Sequence, residues 1–177
     1  MTDIFSLNGQ TAIVTGGATG LGLAMTQCLV ESGCKVIVVS SSPYEKYAYT
    51  LKELGSQASY EQFNITDTDK TPEFVEGLVK KYGKIDILVN NAGVHCKKPI
   101  EDMTVEDYTN VLDVHLVGAF ALTKAIVPHM RSNKKGNIIF IASMTSYIGQ
   151  PYVMGYSTAK AGYLGMIHTL ASEVGAD

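Results

Sequence analysis

Apolar and polar positions along this chain alternate between two periods. Thr11–Thr15 is a short β-rich run, and residues 36–39 are four consecutive apolar residues, the pattern of a strand covered on both faces. Between them Leu23, Met25, Leu29 and Val30 mark a helix, which Gly33 closes in the usual C-terminal position. Pro43 allows a second helix, carried through Leu51 and Leu54 to Gly55, and residues 60–65 form a third strand. Thr71-Pro72 supplies a cap and a first-turn proline for a helix whose buried stripe is Phe74, Val75, Leu78 and Val79. A fourth strand follows over 85–89. Thr104 and Asp107 stand at capping-box spacing before a long helix running to about Met130. A fifth strand over 137–142 and a last helix over about 152–174 complete the series. Strands alternating with helices of this length predict an α/β fold, a doubly wound parallel sheet with right-handed crossovers. No repeat, linker or low-complexity segment interrupts it, so residues 1–177 read as one domain.

Composition adds limits. Of the 177 residues 46% are hydrophobic and 18% charged, as expected of a folded chain rather than a disordered one. A formal net charge of -3 gives no electrostatic reason to expect nucleic acid or an anionic membrane as partner. The longest apolar runs, 36–39 and 138–142, have strand length and fall short of a bilayer span. The first residues lack the positive and long apolar regions of a secretory signal. Cys28, Cys34 and Cys96 form neither a disulfide set nor a metal spacing. Cys28 and Cys34 read as packing residues, and a reducing, cytoplasmic location is expected without a metal.

Two constellations carry chemistry. The first is Thr15-Gly16-x-x-x-Gly20-x-Gly22, between the first strand and its helix. A pyrophosphate needs backbone N–H groups within reach, no Cβ in the way and the positive end of a helix dipole. The second is Tyr156-x-x-x-Lys160, with Ser143 upstream. Positions i and i+4 share a helix face, so the ammonium can stand beside the phenol. A free tyrosine ionises near pH 10, and a neighbouring positive charge favours its phenolate. Ser143 follows the fifth strand, at the sheet end where ligands collect, and its hydroxyl can hold a substrate oxygen.

With these motifs in order, and with Asn90-Asn91-Ala92-Gly93 after the fourth strand, the sequence resembles the short-chain dehydrogenase/reductase family over essentially its whole length. That resemblance implies a Rossmann sheet of order 3-2-1-4-5 with helices on both faces, and NAD or NADP as cofactor. It implies an oxidoreductase moving a hydride between nicotinamide and an alcohol or ketone. Tyr156 would be the general acid/base, Lys160 would bind the nicotinamide ribose and tune the tyrosine, and Ser143 would orient the substrate. Gly16, Thr19, Gly20, Leu21, Gly22, Ser40, Ser41, Asn64, Ile65, Asn91, Ala92 and Gly93 would complete the cofactor site with Tyr156 and Lys160. Asn90 would brace the central strands. The two long helices resemble the pair through which relatives form homodimers or homotetramers.

The chain departs from the family pattern at three points. His115 stands in Val114-His115-Leu116, where the family usually has asparagine. Its face is shared with Val111, Gly118 and Leu122, and a neutral imidazole there either holds a water in the proton relay or packs. After the second strand comes Ser40-Ser41-Ser42, neither the acid expected for NAD nor the base expected for NADP. Asn64 occupies a position often held by aspartate, and Lys46 lies further on. Finally, Asp177 follows the helix carrying Lys160, where relatives continue into further strands and a substrate-covering loop. Lacking the family's last strands, the sheet would expose one edge and the pocket would lack a wall.

The small-molecule substrate would be lined by Val94, His95 and Lys97, and by Met144, Ile148, Gln150 and Tyr152. His95 and Lys97 favour a sugar acid or polyol, unless that loop is simply solvated surface. A 3-oxoacyl thioester reductase is the enzymatic alternative. A cofactor-binding subunit without turnover is the other.

Overall fold

The structure, a computed structural model, describes residues 4–176. Five strands, β1 (Thr11–Thr15), β2 (Lys35–Ser40), β3 (Ala58–Gln62), β4 (Ile87–Asn90) and β5 (Asn137–Phe140), form a parallel sheet in the order β3-β2-β1-β4-β5. The helices are α1 (Gly20–Glu31), α2 (Ala48–Leu54), α3 (Thr71–Tyr82), α4 (Val105–Leu112), α5 (Ala119–Ser132) and α6 (Met154–Val174). The expected Rossmann order is therefore present.

Strand alternation sorts the core onto two faces. Ala12, Val14, Val36, Val38 and Val89 point toward Leu23 and Leu29 of α1 and Leu51 and Leu54 of α2. Ile13, Ile37, Val39 and Leu88 point the other way, toward Val75 and Leu78 of α3 and Leu122 and Ile126 of α5. Each fully buried Val, Leu or Ile side chain contributes roughly 1.5–3 kcal/mol. The α1 terminus is a Schellman closure. Gly33, at φ +88°, donates to Val30 O at 2.9 Å, and Cys34 donates to Leu29 O at 3.0 Å.

Several boundaries differ from expectation. The third strand starts at Ala58 and ends at Gln62 rather than Ile65. Its expected tail is used elsewhere: Phe63 stacks on Phe74 at 4.0 Å, and a Cβ at Gly118 would come within 2.8 Å of Ile65 O. The fourth strand begins at Ile87, and the last helix at Met154 after Tyr152 takes φ +71°. Pro43 leads into a 3-10 turn, Tyr44–Lys46, before α2 begins. Thr71 is the first residue of α3 rather than its cap. Cys34 is buried as expected, but Cys28 is exposed, so it is not a packing residue.

The reading of apolar runs also needs correction. The helix from Val105 to Ser132, continuous through a π-helical turn at Asp113–Gly118, is long and apolar enough by composition to span a membrane. Its Val111, Leu122, Ile126 and Met130 are buried within the fold, the latter three against the sheet. On composition alone a core helix and a spanning helix look alike.

Candidate active site

At the carboxyl end of β1 the chain turns on Gly16 (φ +65°) and Gly20 (φ +52°), conformations that side chains rarely tolerate. Gly22 is required by packing, because a Cβ there would lie 2.2 Å from Gly16 O. Thr19 occupies the N-cap of α1 but gives no side-chain bond to it, and the first turn carries no acidic residue. The N–H groups of that turn are thus left uncapped by any side chain and unopposed by negative charge, as an anion requires.

Thr15 and Asn91 hold this loop against β4. Thr15 Oγ1 donates to Val89 O at 3.2 Å and accepts from the backbone N–H groups of Asn91 (3.0 Å) and Ala92 (2.9 Å). Asn91 Nδ2 donates to Thr15 O at 2.9 Å and Gly16 O at 3.4 Å. Bracing between these strand ends comes from Thr15 and Asn91. The Asn90 amide instead donates across to Thr123 on α5 at 3.2 Å.

A cleft of about 640 Å³ runs from this loop past Ser40, Ser41, Asn64 and Ile65 to Ala92 and Gly93, with Thr19 and Gly16 on its rim. That volume suits a dinucleotide portion. With the glycine turn and the uncapped helix start, the residues present fit a pyrophosphate-linked nucleotide. Leu21 is exposed beside the loop, and Gly20, Gly22 and Asn91, though part of the loop or bonded to it, are not among the cleft's lining residues.

The second group gathers around Tyr156, which lies half-buried in the first turns of α6. Two imidazoles meet its ring edge-on, His95 at 5.0 Å and His115 at 5.5 Å between centroids. Lys160 Nζ lies 5.4 Å from the Tyr156 ring centroid and 4.6 Å from that of Tyr163. It donates to Ile141 O at 2.6 Å. Burial draws the Lys160 ammonium down to about 8. Burial also pushes the Tyr163 phenol up.

His115 lies in the π-helical turn, a local widening common at functional sites. It is 3% exposed. Its Nε2 lies 3.2 Å from Val94 N and 3.0 Å from Val94 O, accepting from one or donating to the other according to tautomer. Its Nδ1 is buried without a protein partner. Burial first, then the positive charges of Lys160 and His95, bring it down to about 4, against the opposing bond from Val94. The ring also fixes Gly93, where a Cβ would lie 2.1 Å from His115 Cε1.

Ser143 does not end β5. The strand stops at Phe140, and Ser143 caps a 3-10 turn at Met144–Ser146. Its Oγ accepts from Thr145 N at 3.2 Å. Ser146 Oγ donates to Lys160 O at 2.8 Å and accepts from Ser143 N at 3.4 Å, fastening the turn to α6. Thr15, Ser146 and Lys46, which lines the cleft, were not among the sequence-derived site residues. Ser146 stands three residues after Ser143, a capping spacing that offered the signal. Ser143, Tyr156, Lys160 and His115 are not among the cleft's lining residues; the cleft reaches Gly93 and Val94, and the latter bonds His115.

Known proteins share this sequence pattern and this fold. The chain is 35% identical over 170 residues to a 3-oxoacyl-[acyl-carrier-protein] reductase of Thermotoga maritima, covering 95% of this chain and 69% of that protein. It is 34% identical over 174 residues to a 2-dehydro-3-deoxy-D-gluconate 5-dehydrogenase of Formosa agariphila, covering 97% and 66%. A solved structure from Beutenbergia cavernae, assigned as an NAD(P)-dependent gluconate 5-dehydrogenase with NADP bound at low occupancy, superposes with a TM-score of 0.88. That protein is 30% identical, with 96% of this chain and 68% of it covered. The chain thus spans about two thirds of the length of the relatives it matches. Residues 10–177 match the short chain dehydrogenase family, and the chain belongs to that family.

Proposed function

We propose that Tyr156 is the proton donor and acceptor for hydride transfer between NAD(P) and an alcohol or ketone, with Lys160, Ser143 and His115 arranged around it. The oxidoreductase class and the NAD(P) cofactor come with the family, as the sequence motifs implied. The setting of Tyr156 carries the reading: an ammonium near its ring and two imidazoles in T-shaped contact with it.

When bound, the nicotinamide supplies or accepts the hydride. Tyr156 gives its phenol proton to the substrate oxygen during reduction and takes it back during oxidation. The Lys160 ammonium, held by Ile141 O, stabilises the phenolate formed and offers donors to a ribose. Ser143 Oγ accepts from Thr145 N, which leaves its own O–H to donate to the substrate oxygen. His115, neutral at physiological pH, presents its unpartnered Nδ1 to a water of the proton relay.

The substrate class we favour is a sugar acid or related polyol. His95 and Lys97 are exposed on the loop after β4, where they suit a carboxylate, and the Formosa agariphila relative is named for a sugar acid. A 3-oxoacyl thioester reductase is the second reading, supported by the identity to the Thermotoga maritima protein. An apolar groove of about 620 Å³ between α5 and α6, including Phe120, Val127, Met166 and Leu170, supports a homodimer or homotetramer formed through these helices. The free cysteines Cys28, Cys34 and Cys96 are in keeping with a reducing cytoplasmic location.

The test is NAD(P)H turnover with sugar acids, polyols and 3-oxoacyl thioesters, using the chain and Tyr156→Phe. The substitution should lower kcat by about 100- to 10,000-fold while preserving cofactor affinity. Turnover surviving the substitution removes the acid/base assignment. Cofactor binding without turnover of any substrate supports the binding-subunit reading instead.

A further inference from the structure

We propose that Tyr163 is a positioning residue for hydride transfer: the face of its buried ring holds the Lys160 ammonium near Tyr156. The inference rests on the Tyr156–Lys160 reading above and adds the group that keeps this lysine charged and in place.

Lys160 and Tyr163 stand at i and i+3 on α6, so they share one helix face. Lys160 Nζ lies over the Tyr163 ring at 4.6 Å from its centroid, closer than the 5.4 Å to the Tyr156 centroid. The Tyr163 ring is fixed from other elements. It is 0% exposed, meets the Phe140 ring of β5 at 5.1 Å and packs in one cluster with Ala119 of α5. A ring clamped in this way presents its face to the amine at no further ordering cost. The opposite constraint comes from Ile141 O, which accepts from Lys160 Nζ at 2.6 Å.

A buried ammonium must be compensated or it gives up its proton. The titratable groups around Lys160 are Tyr156 and Tyr163 on its own helix, His115 on the π-helical turn, and His95 beyond Tyr156. None is a carboxylate. The negative face of an aromatic ring attracts a cation most strongly where water is excluded. Burial draws Lys160 down to about 8, and the Tyr163 ring opposes a further fall. Tyr163 does this as a neutral phenol, because burial and then the charge of Tyr156 push its own ionisation up. It therefore does not compete to become the phenolate. Of the two tyrosines near this lysine, the half-buried one moves the proton and the buried one holds the cation.

Carbon NMR of the chain with labelled lysine follows the Lys160 titration, and Lys160→Met identifies its signal. Tyr163→Phe keeps the ring without the hydroxyl and should titrate with the wild type. Difluorinated and trifluorinated phenylalanine at position 163 keep the ring's shape while draining negative charge from its face. They should lower the Lys160 midpoint stepwise, by about half to one unit in total. In turnover, the alkaline fall of kcat should begin at lower pH in the same order, with KM for substrate within about twofold. An unchanged midpoint across the fluorinated series overturns the proposal. So does a shift in Tyr163→Phe as large as that with the trifluorinated ring, which would assign the effect to the hydroxyl. The titration needs neither cofactor nor turnover, so it decides the role of Tyr163 whatever Tyr156→Phe does to activity, and the two readings fail separately.

Discussion

Lys98 and Lys160 make similarly short contacts to oxygen and are treated in opposite ways by their surroundings. Lys98 Nζ meets Asp107 Oδ2 at 2.7 Å near the surface. That carboxylate raises the lysine and is itself held at about 2, helped by the Thr104 backbone and hydroxyl. Among the described residues, the hydrogen-bond partner of Lys160 Nζ is a neutral carbonyl, Ile141 O at 2.6 Å, and two phenol rings lie near it inside the protein. Burial lowers it to about 8. The first lysine closes a structural joint whose charges satisfy each other. The second has no carboxylate partner among the described residues, so its charge is carried at a cost to stability.

The widest separation between the two lysines is expected from Lys160→Met. Turnover should fall by about 100- to 1,000-fold, the usual loss on removing one preorganised donor. The same variant should be more stable without cofactor at neutral pH. The folded-state value lies below the unfolded one, so between about 8 and 10.5 the unfolded chain binds more protons. Wild-type stability should therefore rise across that window relative to Lys160→Met, by up to roughly 3 kcal/mol. Urea unfolding at a series of pH values checks it. Parallel curves for the two proteins would mean that Lys160 carries no strain of burial.

Much of this arrangement was legible beforehand, and the gaps have physical causes. The alternation of strands and helices and both buried sheet faces follow from apolar runs such as 36–39, the strand order comes from the family resemblance, and the i,i+4 spacing alone places Lys160 beside Tyr156. The end of β5 was not legible. Ile141 and Ala142 are apolar, but Ile141 O is taken by the Lys160 ammonium, and Ala142 N turns back to Phe140 O at 3.0 Å. Nor does the spacing of Val111, His115, Gly118 and Leu122, which reads as regular α-helix, reveal the π-helical turn that carries His115. Lys46 was legible as a residue but not as a neighbour of Ser42, since its reach depends on a reversal at Pro43. Side chains that bond across distant segments, such as Thr15 and Ser146, leave little local pattern.

His115 extends the contrast to acid pH. Its folded-state value of about 4 lies below the ordinary 6.5, so the unfolded chain binds more protons between them. Its contribution to stability is complete above about 6.5 and is lost as pH falls toward 4, amounting to roughly 3 kcal/mol at most. His115→Asn should remove that part of the acid sensitivity. An unchanged acid unfolding curve would show that the imidazole protonates freely in the folded protein.

The smallest expected effect tests the structural side of the comparison. Thr104 Oγ1 accepts from Asp107 N at 3.0 Å and donates to Asp107 Oδ2 at 2.9 Å, closing the start of α4. Thr104→Ala should cost about 1 kcal/mol of unfolding free energy and leave kcat unchanged. The helix start at α1 already lacks such a cap, next to the cleft lined by Gly16 and Thr19, so removing the cap at α4 tests whether a similar vacancy matters away from that cleft. If Thr104→Ala lowered turnover as far as Lys160→Met does, the Thr104–Asp107–Lys98 joint would belong to the catalytic machinery, and the division between the two lysines would fail.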